Sequence, residues 1–161
     1  MQNPRKERFK KLFKRPYFLL LSKILGDFLL KQYLVFGPES KLKIKIASTA
    51  VVGNALFNTT SGNITIEDDV FFGQNVSCLT GTHDYRKFGQ ERRLSHVEGR
   101  DILIKKGVWV ASNATIIGPC TIGENSVIGA CCLICKNVPP NTICFSGNSP
   151  ILREIKQKSM I

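Results

Sequence analysis

From residue 104 to residue 139 a six-residue pattern runs six times without a gap: IKKGVW, VASNAT, IIGPCT, IGENSV, IGACCL, ICKNVP. A helix repeats every 3.6 residues and a strand every two, so a period of six dictates short extended pieces separated by regularly spaced corners. Position one is always aliphatic (Ile104, Val110, Ile116, Ile122, Ile128, Ile134), and position five is small or β-branched (Val108, Ala114, Cys120, Ser126, Cys132, Val138). These two positions are predicted to turn inward and fill a narrow prism as coils stack. Position four is the corner, held by Gly107, Asn113, Asn125 and Asn137, because Gly and Asn tolerate positive φ. Pro119 and Cys131 break that rule, which predicts another geometry for those two turns.

The same phase is present upstream. IASTAV and VGNALF begin at Ile46 and Val52, NTTSGNIT adds two residues to the period, and IEDDVF, FGQNVS and CLTGTH complete a coil ending at His83. Then the repeat stops. Residues 84–103 have no hexad phase, carry five basic and four acidic residues, and include Tyr85 and Phe88. Interruptions of this length in a regular solenoid run outside the stack and usually carry function. After Pro139 and Pro140 the repeat ends, and ILREIKQK reads as a short closing helix or tail over the open end of the prism. The domain expectation is therefore a basic N-terminal segment, 1–45, a solenoid, 46–155, with its excursion at 84–103, and a tail, 156–161.

The net charge of +11 is unevenly placed: residues 1–45 hold 12 of the 23 basic residues against Glu7, Asp27 and Glu39. The solenoid is close to neutral, and no nucleic-acid partner is expected for it. Seven basic residues fall within 1–15, ahead of YFLLLSKILGDFLLKQYLVFG. Lys23, Asp27 and Lys31 interrupt that apolar run, which argues against both a signal peptide and a membrane span. On a helix Phe18, Leu21, Ile24, Leu25, Phe28, Leu29 and Val35 share one side. Such a helix either packs on protein or lies, with residues 1–36, on an anionic membrane surface. The six cysteines read as core thiols at Cys78, Cys120 and Cys132, since no CxxC pair sits beside histidines at zinc-finger spacing. A reducing, cytoplasmic setting follows, with peripheral contact at the inner face of the membrane as an extension.

The chain has two histidines, His83 and His96. A neutral imidazole, with an ordinary pKa of about 6.5, accepts a proton near pH 7 and suits general-base work. His83 stands where the last coil opens into the excursion. A turn histidine bonded to a backbone carbonyl is the plainer alternative.

The hexads resemble the left-handed parallel β-helix of the hexapeptide acyltransferases, an all-β fold in which three hexads make one triangular coil. That resemblance implies that Ile104 stacks under Ile122, Val110 under Ile128 and Ile116 under Ile134. The segments TGTHDY, VWVASNATIIGPCTIGENSVIGA, KNVPPN and REI occur in the order and spacing that resemble the galactoside, maltose and polysaccharide O-acetyltransferases. The resemblance, over residues 46–155, implies acetyl-CoA as co-substrate and no metal. It implies His83 as the base and Asn58 as an acceptor contact. Beside these, Asp84 directly follows His83 and is the candidate to orient its ring, and Tyr85 and His96 on the excursion are acceptor-contact candidates, with a neighbouring subunit as the other partner open to His96. For the cofactor it implies an aromatic lining at Trp109, backbone contacts at Ser112 and Ala130, and phosphate contacts from Lys136 and Arg153. The Ser112 amide would also steady the oxyanion. The chain departs from the family at Cys135, where Thr is common, and at Gly147-Asn148-Ser149-Pro150-Ile151, where relatives usually read Gly-Asn-Pro-Ala.

The implied protein is a homotrimeric O-acetyltransferase acting on a sugar hydroxyl in surface polysaccharide or lipopolysaccharide assembly. Acetyl transfer to an amino-sugar nitrogen or an antibiotic stays open, as does a non-catalytic solenoid. A γ-carbonic-anhydrase-like site between subunits would need three histidines, and the chain has two.

Overall fold

The computed structural model describes residues 20–21, 23–25, 33–37 and 42–145, and the backbone of 151–154. Two compact units divide the chain, residues 1–32 and residues 33–161. In the first, Leu20, Leu21 and residues 23–25 are helical. Phe18, Phe28 and Leu29, expected on the same helix face, lie outside the described residues. No helix among the described residues is long and apolar enough to cross a membrane.

The second unit is a three-faced, left-handed parallel β-helix. Face A stacks β1 (Leu34–Phe36), β3 (Leu56–Asn58), β6 (Ser77–Leu79), β9 (Thr115–Ile117) and β12 (Leu133–Ile134) in that order. Face B stacks β2 (Ile44–Ile46), β4 (Ile64–Ile66), β7 (Ile102–Ile104) and β10 (Cys120–Ile122). Face C stacks β5 (Phe71–Phe72), β8 (Trp109–Val110), β11 (Val127–Ile128), β13 (Thr142–Phe145) and β14 (Ile151–Glu154). The expected register holds: Ile104 pairs with Ile122, Val110 with Ile128 and Ile116 with Ile134.

All twelve inward positions of the six hexads are buried. Each inward aliphatic side chain stabilises the stack by about 1.5–3 kcal/mol relative to exposure. The buried thiols of Cys78, Cys120, Cys132 and Cys144 complete the core, whereas Cys131 and Cys135 are exposed, and no disulfide joins any two of them. Burial pushes the Cys120 thiol up to about 11 and raises that of Cys78 further.

The corners correct the expectation at two residues. Cys131 takes the left-handed conformation (φ 59°), as Asn113 does one coil earlier (φ 60°). Asn137 does not; it shares a corner with Pro119, where the Gly118–Pro119 peptide is cis. The other two corner columns use a left-handed residue at these levels, and the A–B column at Pro119 and Asn137 does not. Instead the Asn137 Oδ1 accepts the Thr121 N–H (2.8 Å), closing that turn with a side chain.

Three boundaries also move. The stacked strands begin at Leu34, not at 46, and Val35, expected on the helix, is on β1. The reason is burial: Val35, Ile44 and Ile46 pack against the core cluster. In VGNALF the inward residue is Phe57, which pairs with Cys78, so that hexad is one residue short. The closing helix is replaced over 151–154 by β14, which pairs antiparallel with β13 from Thr142↔Glu154 to Phe145↔Ile151. A strand there satisfies the edge donors and acceptors that a helix would leave open. The tail 156–161 lies outside the described residues.

Candidate active site

The excursion leaves the prism at the corner between faces A and B and returns to it there, because Ile102 already pairs with Ile64 on face B. It therefore spans 84–101, two residues less than its loss of phase suggests. At its root the Thr80 hydroxyl donates to the Asn58 carbonyl (2.8 Å) and the Thr80 amide donates to the same oxygen (2.9 Å). The Asn58 side chain lies over Gly81: a Cβ there would meet Asn58 Oδ1 at 2.5 Å and Nδ2 at 2.8 Å. Asn58 also accepts the Thr60 N–H through Oδ1 (3.0 Å), which fixes the amide orientation. This sets the Asn58 carboxamide two residues from His83.

The return strand runs beside the exit strand. The Asp84 N–H donates to Ser95 (3.3 Å) and the Val97 N–H donates to Thr82 (3.4 Å). These two bonds flank His83 and His96, which face each other in an isolated antiparallel bridge. In such a non-hydrogen-bonded pair the side chains come closest. The imidazole centroids lie 5.0 Å apart with the rings tilted by 40°, and both residues are exposed. The fold thus brings together the base candidate and the loop histidine.

Asp84 is directed elsewhere. Its carboxylate accepts the Arg86 Nε–H (3.0 Å) and the Arg86 backbone N–H (3.1 Å), and these bonds hold it below the usual carboxylate range. Tyr85 is 81% exposed, with the Arg86 guanidinium 6.0 Å from its ring centroid. Beyond it a single-turn helix, α1 (Gly89–Leu94), buries no residue. Arg92 ties the turn down, donating to the Lys87 carbonyl (2.6 Å) and the Tyr85 carbonyl (3.1 Å).

One organising residue was missed from the sequence. Arg100 closes the base of the excursion: its Nε–H donates to the Thr80 carbonyl (3.0 Å) and its amide to Ser61 (3.0 Å). Gly62 and Gly118 sit against its backbone, and a Cβ on Gly62 would lie 2.6 Å from the Arg100 carbonyl carbon. The signal was available as two glycines at the A–B corner on the coils flanking the excursion.

The cofactor candidates fall at three places. Trp109 is half exposed on face C and stacks on Phe71 (5.7 Å, 15°). Ser112 and Ala130 occupy successive levels of the C–A corner. The Ser112 Oγ accepts the Gln74 N–H (3.1 Å), and a Cβ on Gly73 would lie 2.6 Å from Ser112 N, so glycine keeps that approach clear. Lys136 is exposed on the A–B corner, two coils beyond the excursion. Arg153 is on β14, in register with Ile143, and so continues the column of Phe71, Trp109 and Val127 on face C. Within one chain, then, Trp109, Ser112 and Ala130 are not beside His83. Six residues of face A separate the two corners, roughly 20 Å at about 3.3 Å per residue.

A parallel prism with a histidine-bearing excursion at one corner is similar to proteins of the hexapeptide-repeat class. Residues 101–136 match the family described as bacterial transferase hexapeptide (six repeats). The galactoside O-acetyltransferase of Escherichia coli (strain K12) is 34% identical over 99 residues, which is 59% of this chain and 46% of that protein. The galactoside O-acetyltransferase of Lactococcus lactis (strain IL1403) is 32% identical over 105 residues, 58% of this chain and 48% of that protein. This chain spans about half the length of those curated relatives. Among solved structures, a hexapeptide-repeat acetyltransferase of Vibrio cholerae complexed with acetyl coenzyme A superposes with a TM-score of 0.63 at 24% identity, covering 94% of this chain and 85% of that one. That likeness fixes the fold.

Proposed function

We propose that this chain is an acetyl-CoA-dependent O-acetyltransferase acting on a sugar hydroxyl, within surface polysaccharide or lipopolysaccharide assembly. The observation that carries the reading is the exposed His83 at the root of the excursion, with the Asn58 carboxamide fixed against Gly81, in a chain similar to two galactoside O-acetyltransferases. His83 takes the proton of the acceptor hydroxyl as that oxygen attacks the thioester carbonyl. The Ser112 N–H steadies the developing oxyanion, and Asn58 positions the acceptor. Collapse breaks the carbon–sulfur bond, leaves the acetyl ester, and returns the proton from His83 to the departing thiolate.

The separation of the two corners supports a homotrimer. The His83 corner of one chain would meet the Trp109, Ser112 and Ala130 corner of a neighbour, with Lys136 and Arg153 toward the cofactor phosphates. The excursion carries exposed Tyr85, Phe88 and Leu94, an apolar surface suited to reach across such a joint. The basic segment 1–36 would hold the enzyme at an anionic inner membrane face, where lipid-linked acceptors are displayed.

The test is acetyl transfer from radiolabelled acetyl-CoA to free galactosides, nucleotide sugars and lipid-linked glycans in acidic vesicles, with the particle mass measured by light scattering. The reading expects an alkali-labile acetyl ester on a glycan and three times the 18.0 kDa chain mass. Acetylation of an amine alone, or full activity from a stable monomer, would overturn it.

A further inference from the structure

We propose that His83 and His96 form a two-imidazole site for a borderline divalent transition metal such as Zn²⁺, and that its occupation silences the enzyme. The second half of this statement rests on the acetyltransferase reading; the first half does not.

The two histidines form the close type of antiparallel pair, flanked by the Asp84-to-Ser95 and Val97-to-Thr82 hydrogen bonds, so both side chains leave the same face of the ribbon. Their ring centroids are 5.0 Å apart at a 40° tilt. Two nitrogens bound tetrahedrally to one Zn²⁺ at about 2.0–2.1 Å lie about 3.3 Å apart, within reach of small side-chain rotations. Imidazole prefers Zn²⁺, Cu²⁺ and Ni²⁺ over the oxygen-seeking Mg²⁺ and Ca²⁺. Both rings are exposed, so a hydrated ion reaches them without opening the fold.

The surroundings set the character of the site. The Asp84 carboxylate is committed to Arg86, and no group of three metal-binding side chains occurs among the described residues. The ion would therefore keep two positions for water, giving an exchangeable site, in contrast with the closed four-ligand sites that hold structural zinc. Occupation would remove the imidazole lone pair that the general base needs. The exposed Cys131 and Cys135 are the competing ligands to control for.

The experiment is isothermal titration of the full chain with Zn²⁺ in a Cys131→Ser/Cys135→Ser background, repeated with His83→Gln and His96→Gln added singly. Circular dichroism verifies that each variant is folded. One Zn²⁺ per chain is expected in the double-serine background, weakened at least tenfold by either glutamine substitution and unaffected by Mg²⁺ competition. Binding that survives His96→Gln, or that vanishes with the two cysteines, would overturn the site. In a separate assay Zn²⁺ should inhibit acetyl transfer by the double-serine protein, with recovery on adding EDTA. Binding without inhibition would remove the silencing role while leaving the metal site, and absence of any acetyl transfer would count against the enzymatic reading instead.

Discussion

The prism and the excursion are built on opposite terms. In the prism each extended piece hydrogen-bonds to the coils beside it, and its side chains alternate between a dry core and the surface. In residues 84–101 one six-residue helix buries nothing, and the segment is held by arginines reaching backbone carbonyls. The prism carries the stability and fixes the corner from which the loop departs; the exposed histidines stand at the root of the loop, His83, and on its return, His96. A rigid scaffold with chemistry on its connections is the general solution when a site must be reached by substrate.

The sharpest way to break the comparison is to ask whether activity and stability separate. His83→Ala should lower kcat by about 10² to 10⁴, the usual cost of removing a positioned general base. Its melting temperature should stay near that of the parent, since the side chain is exposed. Near-normal turnover in this variant, combined with a collapse in His96→Ala, would move the base to the return strand.

The converse change is Ile116→Ala. Ile116 is fully buried on β9 between Cys78 and Ile134, and its truncation should cost about 2–5 kcal/mol, read from the urea midpoint. A loss below about 1 kcal/mol would mean that the coils do not share one close-packed core.

Arg100→Ala tests the hinge between the regions. Losing its bond to Thr80 should weaken the base of the excursion by about 1–2 kcal/mol. Hydrogen exchange should quicken at the Asp84 and Val97 amides, which hold the two histidines in register, and not at Ile122 or Ile128 in the prism. Uniform protection would show that Arg100 is not the clasp.

The smallest effect concerns pH and belongs to the prism alone. The Cys120 thiol ordinarily titrates at 9.0 and is pushed up to about 11 by burial. The folded state therefore keeps a proton that the unfolded chain releases, so this contribution is complete below pH 9 and is lost as pH rises toward 11. Urea midpoints should fall across that window, and Cys120→Ala should flatten the decline. A decline of equal slope in that variant would place the effect on other groups.

Much of the prism was legible because a six-residue period leaves few alternatives: inward residues and the excursion follow from counting, and the stacking partners follow from the three-hexad coil that the family resemblance implies. What counting missed was local. Cys131 at a left-handed corner, the five-residue spacing from Val52 to Phe57, and strand β14 in place of a helix each depend on what the neighbouring coil demands. Asn58, His83 and His96 were visible as chemistry-bearing residues, yet their juxtaposition was not. His83 and His96 meet only because the twelve residues between them fold back, closed by Arg100 against Thr80. The sequence by itself determined the repeating core, since burial of aliphatic side chains at a fixed period is a property readable one residue at a time. Only the tertiary structure decided the site, because a contact between two side chains depends on the path of the chain between them, and that path has no period.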